Sequence, residues 1–302
     1  MGQPRRLSLT VRADRQGQKV DTVLRGAMGL SGTVIRRAKW LEDGILLDGV
    51  RVFTNVRVEE GQVLSVRLSD PERRSGILPA SGPLKIVWED EDILVLNKAS
   101  GVAVHPGPGH YMDTIGNFLI DYYEKCGIEA DFHPVHRLDR GTSGLMVVAK
   151  HPHAQEVLKK RLHTGDFRRI YLAVCLGCPP AMEGEVDAPL GPAEGSLMKR
   201  RVRPDGAPAR TGYRVLRREG DKTLLQLELY TGRTHQIRVH MAYLGCPLVG
   251  DFLYGREDGN LIGRTALHSW RLELVHPVTG ERLLFRAELP EDIRRLAGVD
   301  PA

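Results

Sequence analysis

The stretch His136-Arg137-Leu138-Asp139-Arg140-Gly141-Thr142-Ser143-Gly144 packs four ionisable side chains beside two glycines and then enters the apolar run Leu145-Met146-Val147-Val148-Ala149. In an extended backbone Arg137 and Asp139 share one face and Leu138 takes the other. Positive charge on both sides of Asp139 favours the anion. From this stretch alone, Asp139 is either a working carboxylate or a surface acid bridged to a neighbour.

Two further stretches carry polar groups beside apolar ones. Tyr230-Thr231-Gly232-Arg233-Thr234-His235-Gln236-Ile237-Arg238-Val239-His240-Met241 follows the alternating strand Leu225-Leu227-Leu229. Thr234 can cap a helix there, with Ile237, Met241 and Leu244 as its core face and Gly245 as its end. Arg233, His235, Gln236 and Arg238 would cluster at the helix start, where backbone N–H groups and basic side chains suit an anion. His235 and His240 lack the metalloprotease spacing, so a hydrogen-bonded role is expected of them rather than a metal-binding one. In Arg168-Arg169-Ile170-Tyr171-Leu172-Ala173-Val174, Tyr171 opens a strand, with Ala173 and Cys175 on its face and Leu172 and Val174 on the other. A lone strand tyrosine is ordinarily a packing residue.

The elements that must position these groups can be read from periodicity. The second domain should begin near Leu84. Strands are expected at 86–88 and 93–98, 145–149, 171–176, 209–216 and 223–230, with helices at 114–125, 153–163 and 234–244. Hairpin-like strand groups with helices between them argue for an α+β fold with a mainly antiparallel mixed sheet and flanking helices, not a doubly wound parallel one. No internal repeat and no Gly-rich phosphate fingerprint is present. Residues 69–83 carry Asp70-Pro71, Ser75-Gly76, Pro79 and Ser81-Gly82-Pro83, a linker composition. This divides the chain into residues 1–70, a linker 71–83, and a domain 84–302.

Charge separates the two parts. The chain of 302 residues has 43 Lys+Arg against 38 Asp+Glu, a net +5, and residues 1–70 alone hold 12 against 8. A basic satellite on a nearly neutral body suggests a module that grips a polyanion. Its apolar periodicity gives a helix over 20–28 ended by Gly29, a second from the cap Ser31 to Glu42, an Asp48-Gly49 hairpin and a strand over 63–68. On the second helix Arg36, Arg37 and Lys39 lie off the apolar stripe of Val34, Ile35, Ala38 and Leu41. They are candidate polyanion contacts or an ordinary solvated face. This pattern over residues 17–68 resembles the alpha-L RNA-binding motif.

Composition is globular, with 41% hydrophobic residues. No apolar run approaches the roughly 20 residues of a membrane span. The basic N-terminus is not followed by an apolar stretch, so no signal peptide and a cytoplasmic location are expected. Four cysteines, with one C-x-x-C at Cys175 and Cys178, make neither a disulfide framework nor a convincing zinc site. No metal is expected.

Together, H-R-L-D-R-G-T-S-G-L at 136–145, R-I-Y-L-A-V at 169–174 and T-G-R-T-H-Q-I-R-V-H at 231–240 resemble the RluA-type pseudouridine synthases. So do Pro247-Leu248-Val249-Gly250-Asp251 and Ala266-Leu267-His268-Ser269-Trp270. The resemblance runs from about Ile86 to Ile293. It departs at Phe252, where a proline often follows the Asp, and over 110–131. It implies isomerisation of uridine to pseudouridine in structured RNA, with ribosomal RNA of the large subunit as the expected partner, no cofactor, no membrane and a monomer. It implies that Asp139 is the essential carboxylate, that Tyr171 lies against uracil as a candidate base for the carbon-5 proton, and that Arg238 is the cation paired with Asp139. It implies that Arg137 fills the space of a flipped nucleotide. Arg140, Arg233, His235 and Gln236 are further candidate substrate contacts. Two rivals remain. A glycoside hydrolase needs a second carboxylate that these motifs do not supply. A non-catalytic RNA-binding protein would leave Asp139, Tyr171 and Arg238 without a purpose.

Overall fold

The computed structural model describes residues 4–196, 198–256 and 261–298. The N-terminal unit comprises β1 (Arg6–Thr10), α1 (Val20–Gly26), α2 (Gly32–Lys39), β2 (Ile45–Leu47), β3 (Val50–Arg51) and β4 (Val63–Arg67). Its strands form an antiparallel sheet in the order β1-β4-β2-β3. Val23, Leu24, Val34, Ile35, Ala38, Leu64 and Val66 make a core of their own, to which no buried apolar residue described beyond Leu68 belongs. The Ser31 hydroxyl accepts from the Val34 N–H and caps α2, as the sequence predicts. That helix ends at Lys39, short of Glu42, because the chain must turn at Gly44. A Cβ there would lie 1.7 Å from the Ala38 carbonyl oxygen. Asp48 and Gly49 both have positive φ, the geometry of a two-residue hairpin turn.

The larger part comprises β5 (Ile86–Glu89), β6 (Ile93–Lys98), α3 (Ile115–Cys126), β7 (His133–Pro134), β8 (Ser143–Ala149), α4 (Pro152–Arg161), β9 (Phe167–Leu176), β10 (Glu183–Asp187), β11 (Leu190–Pro192), β12 (Arg200–Val202), β13 (Arg210–Glu219), β14 (Lys222–Leu229), α5 (Gln236–Tyr243), β15 (Leu267–Val275), β16 (Arg282–Arg286) and α6 (Glu291–Ala297). Ten strands form one mixed sheet, whose main path is β10-β13-β14-β9-β15-β8-β6-β5. Every pairing is antiparallel except β15 with β8. The central strands are covered on both faces, so their apolar residues run almost without interruption. Leu94, Leu96, Met146 and Val148 pack with α3 through Leu119, Ile120 and Tyr123. Ile93, Val95, Leu145 and Val147 pack with α4 through Ala154 and Leu158. On β9, Tyr171, Ala173 and Cys175 face the α3 side, while Leu172 and Val174 face α6.

Residues 69–83 contain no helix or strand, yet they are not a free tether. The Arg74 and Ser75 N–H groups donate to Asp131 Oδ2 at 2.8 Å each. Asn117 of α3 donates to the Leu78 carbonyl at 2.8 Å. Gly82 lies against Phe118 so closely that a Cβ would come within 2.2 Å of the ring. Proline and glycine exclude regular structure here, but partners distant in sequence still hold the backbone. The two parts are also joined by side chains. Arg5 donates to both oxygens of Asp92 at 2.8 and 2.9 Å, and Arg67 to Glu129 at 2.6 Å. No helix of the described residues is long and apolar enough to cross a membrane.

Candidate active site

Asp139 sits in the turn that leads from β7 into β8. The Thr142 N–H donates to its backbone carbonyl at 3.0 Å. Leu138 is buried and Arg137 exposed, the alternation an extended backbone gives. The turn is seated hard against β15 at the parallel seam, where Gly144 pairs with Ser269. Gly144 has φ +110°, and a Cβ there would lie 2.3 Å from the Ser269 carbonyl oxygen. Only glycine lets the two strands close at this point. Behind the turn, Ser143 Oγ meets His268 Nδ1 at 2.9 Å and accepts from Arg264 at 3.1 Å. Arg264 is itself clamped by Asp292 at 2.6 and 2.9 Å.

Lys98, at the end of β6, supports the turn from below. It is 1% exposed, and its Nζ donates to the carbonyls of Ala99, Val102 and Arg140 at 2.8, 2.8 and 3.1 Å. Burial pushes its ammonium down to about 7, against the field of Asp139.

The α5 start departs from the sequence expectation. Thr234 is not the cap. The helix begins after His235, which has φ +58° and no side-chain cap bond, and whose Nδ1 meets the Tyr254 hydroxyl at 2.9 Å. Gln236 does the capping work. Its Oε1 accepts from the Arg233 N–H at 2.9 Å and the Thr231 hydroxyl at 2.8 Å. Its Nε2 donates to the Arg210 carbonyl and to Thr211 Oγ1. With its amide fully committed and only 2% exposed, Gln236 holds the loop, and it also lines the recess that contains Asp139. Burial lowers the His235 pKa, so it adds little positive charge. Arg233 is exposed and donates to the Pro208 carbonyl.

Arg238 is the centre of the arrangement, and its main partner is one the sequence reading missed. Its Nε and Nη2 donate to the two oxygens of Asp251 at 2.7 Å each, whereas Nη1 reaches Asp139 Oδ2 only at 3.5 Å. Asp251 is fully buried, and its Oδ1 also accepts from the Leu253 and Tyr254 N–H groups. The guanidinium lies 5.5 and 5.1 Å from the Phe252 and Tyr254 rings. Asp251 therefore fixes the cation, and the cation faces Asp139 across a looser gap. The sequence offers Asp251 as the end of the family-like stretch Pro247-Leu248-Val249-Gly250-Asp251, but nothing there pairs it with Arg238.

Asp139, Arg238 and Tyr171 line one recess with Arg137 and Leu138. That recess adjoins an open cleft of about 940 Å³ whose walls also include His110, Arg140, Phe252 and Arg264. This volume suits a small organic ligand, for which roughly 300–1,000 Å³ is usual. Tyr171 is 3% exposed, and burial raises its phenol pKa. Arg140 stands exposed at the rim, its Nη1 at 2.7 Å from His110 Nε2. Arg36, Arg37 and Lys39 do not line the cleft; they sit on α2. Arg36 is exposed, Arg37 reaches Asp70 at 3.3 Å, and the Lys39 Nζ is 5.3 Å from the Trp40 ring centroid.

One group of potential metal ligands exists among the described residues, Asp90, Asp92 and His276. Three of its four carboxylate oxygens are held by groups outside it, and Asp90 Oδ2 meets His276 Nε2 at 2.9 Å. Asp92 accepts from Arg5 and meets His151 Nε2 at 2.8 Å, and Asp90 Oδ1 accepts from two backbone N–H groups. All four cysteines are free thiols.

Residues 92–243 match the model of a family described as RNA pseudouridylate synthase. The chain is 42% identical to the "Uncharacterized RNA pseudouridine synthase YjbO" of Bacillus subtilis (strain 168), across 90% of this chain and 95% of that one. It is 37% identical to the "Ribosomal large subunit pseudouridine synthase D" of Yersinia pestis, across 98% and 95%. Among solved structures, human RNA pseudouridylate synthase domain containing 4 superposes with a TM-score of 0.57 at 25% identity, covering 72% of this chain and 94% of that one. With the match over half the chain and these relatives over nearly all of it, the chain belongs to the RNA pseudouridine synthase family and isomerises uridine in RNA to pseudouridine.

Proposed function

We propose that the substrate is a uridine of large-subunit ribosomal RNA and that Asp139 is the carboxylate that works on it. The observation that carries the assignment is the shared recess. Asp139 from the β7–β8 turn, Tyr171 from β9 and Arg238 from α5 are far apart in sequence, and the fold brings them to one small hollow in the cleft. The name of the Yersinia pestis relative, over nearly the full length of both chains, supports the ribosomal substrate.

The reaction breaks the bond from ribose carbon 1 to uracil nitrogen 1, turns the base and joins carbon 5 to the ribose. The proton lost from carbon 5 balances the one gained at nitrogen 1. Nothing is oxidised and no group is imported, so the chemistry calls for no cofactor. Asp139 either attacks the anomeric carbon or takes the neighbouring sugar proton. Arg238, held by Asp251, supplies fixed positive charge beside it. Tyr171 packs against the uracil. Its burial keeps the phenol protonated at rest, which favours packing and hydrogen bonding over service as the resting base for carbon 5. Arg137 is exposed at the cleft and takes the place of the extruded nucleotide, whose unstacking costs a few kcal/mol.

Residues 1–70 act as an RNA grip of the alpha-L type, in which Arg36, Lys39 and the overall positive charge contact phosphates and position the RNA without reading bases. The enzyme works as a monomer. Pseudouridine mapping across total RNA, with and without the gene, tests the substrate: the account expects loss at one or a few large-subunit positions. Loss confined to transfer RNA overturns the ribosomal assignment.

A further inference from the structure

We propose that Trp40, with the pocket it walls between the N-terminal unit and the larger domain, is a stacking site for one unpaired nucleobase of the RNA. This rests on the reading of residues 1–70 as an RNA grip and adds a defined subsite to it. Trp40 caps the C-terminus of α2 and is 71% exposed. The helix has already buried Val34, Ile35 and Ala38 on its core face, so the indole is left facing out. The Lys39 ammonium stands 5.3 Å from the ring centroid. Arg36 lies one helical turn back, on the same side as Trp40.

Beside the indole is a pocket of about 260 Å³, walled also by Arg37, Leu41, Arg67, Pro71 and Arg74. A cavity of about 150 Å³ already takes up a benzene ring, so one planar base has room here. The cations around it fall into two groups. Arg67 is spent on Asp43 and Glu129, and Arg37 on Asp70. Arg36 and Arg74 are exposed and have no ion-pair partner among the described residues. Arg74 lines the pocket and Arg36 sits one turn back on α2, so both remain for phosphates of the bound strand. An aromatic face flanked by uncommitted cations is the combination that binds single-stranded RNA: the base stacks and the backbone pairs with the charges. The wall carries Arg37, Arg67 and Arg74 against Asp70 and Glu72, and with Arg36 and Lys39 on α2 the local balance stays positive, which favours a polyanion over a protein as the occupant. Pro152, at the start of α4, closes the pocket from the other side. A base held here is therefore registered against both parts of the chain at once.

The test uses the full chain, a short single-stranded RNA of mixed sequence, and tryptophan fluorescence with a parallel binding titration. Wild type should show quenching on binding, because a stacked base quenches indole emission. Trp40→Ala should lose that quenching and weaken binding by roughly 5- to 150-fold, the range for one stacked base. Trp40→Phe should keep most of the affinity and lose the quenching. The exposed position leaves the fold intact in both. A companion triple variant, Arg36→Ala with Lys39→Ala and Arg74→Ala, separates the two levels. If the triple variant weakens binding and Trp40→Ala does not, the stacking site is overturned and the grip stands. If neither weakens binding, the grip fails and the site with it. If Trp40→Ala binds naked RNA like wild type but loses binding to a ribosomal particle, the surface docks a protein and the proposal is overturned.

Discussion

Arg238→Met and Asp251→Leu, made singly and together, test what organises the site. The Arg238 side chain is 5% exposed and Asp251 is fully buried, joined by two contacts of 2.7 Å. Removing one member of such a pair leaves a buried charge without its partner and costs about 3–5 kcal/mol. The contact to Asp139, at 3.5 Å to a carboxylate 22% exposed, is worth about 1 kcal/mol at most. The stability effect of Arg238→Met should therefore follow the Asp251 pair. The Leu253 and Tyr254 N–H groups still satisfy part of Asp251, which places this variant at the lower end of the range. The double variant should recover much of the loss, because apolar side chains often replace a buried pair without penalty. The two substitutions should be non-additive by roughly 2–3 kcal/mol. Urea unfolding reads this as shifts of the midpoint at constant slope. Turnover should stay low in all three variants, by on the order of 10²–10³, since Arg238→Met and the double variant lack the guanidinium and Asp251→Leu leaves it without the anchor that fixes it beside Asp139. Single variants that each lose under about 1 kcal/mol, and add, would refute the reasoning.

Lys98→Met strips three carbonyls of their donor, and should cost at least about 1–3 kcal/mol and lower kcat more than it raises KM; an unchanged kcat in a folded variant counts against the support of the Asp139 turn by Lys98. Burial holds His136 neutral down to about 3, and His153 and His268 down to about 4. The unfolded chain takes up those protons below about 6.5, so stability should fall as pH drops from there towards 4, by up to about 1.4 kcal/mol per pH unit for each histidine; a melting temperature flat across that window contradicts it. Deleting residues 1–70 should raise KM and leave turnover at saturating RNA, and the salt dependence of binding should flatten by roughly 0.7–0.9 log units for every phosphate the shortened chain no longer neutralises. Unchanged affinity and salt slope would show that the grip lies elsewhere.

How much is legible follows from what is local. The Ser31 cap, the Asp48-Gly49 hairpin and the faces of β9 depend on a few neighbouring residues, and the sequence displays them directly. The strand pair β5–β6 and the helix over 115–126 fall within a residue or two of the expected bounds for the same reason. The parallel seam of β8 with β15 joins residues more than a hundred apart, and no periodicity announces it. Asp251 escapes because spacing along α5 says nothing about which carboxylate a buried guanidinium will choose. The stretch 69–83 has the composition of a tether, but Asp131 and Asn117 pin its backbone. His235 starts α5 in a left-handed conformation that no side-chain pattern favours, so the pattern points to Thr234 as the cap instead.

The central claim is that Asp139 works on the substrate and does little for the fold. Among the described residues its side chain makes one long contact, and the Thr142 N–H bond to its backbone carbonyl survives substitution. The most direct measurement is pseudouridine formation by purified Asp139→Asn at saturating RNA, with RNA affinity and urea midpoint measured on the same preparation. The account predicts no detectable pseudouridine, with RNA affinity close to wild type and stability within about 1 kcal/mol. Measurable turnover by this variant would contradict it.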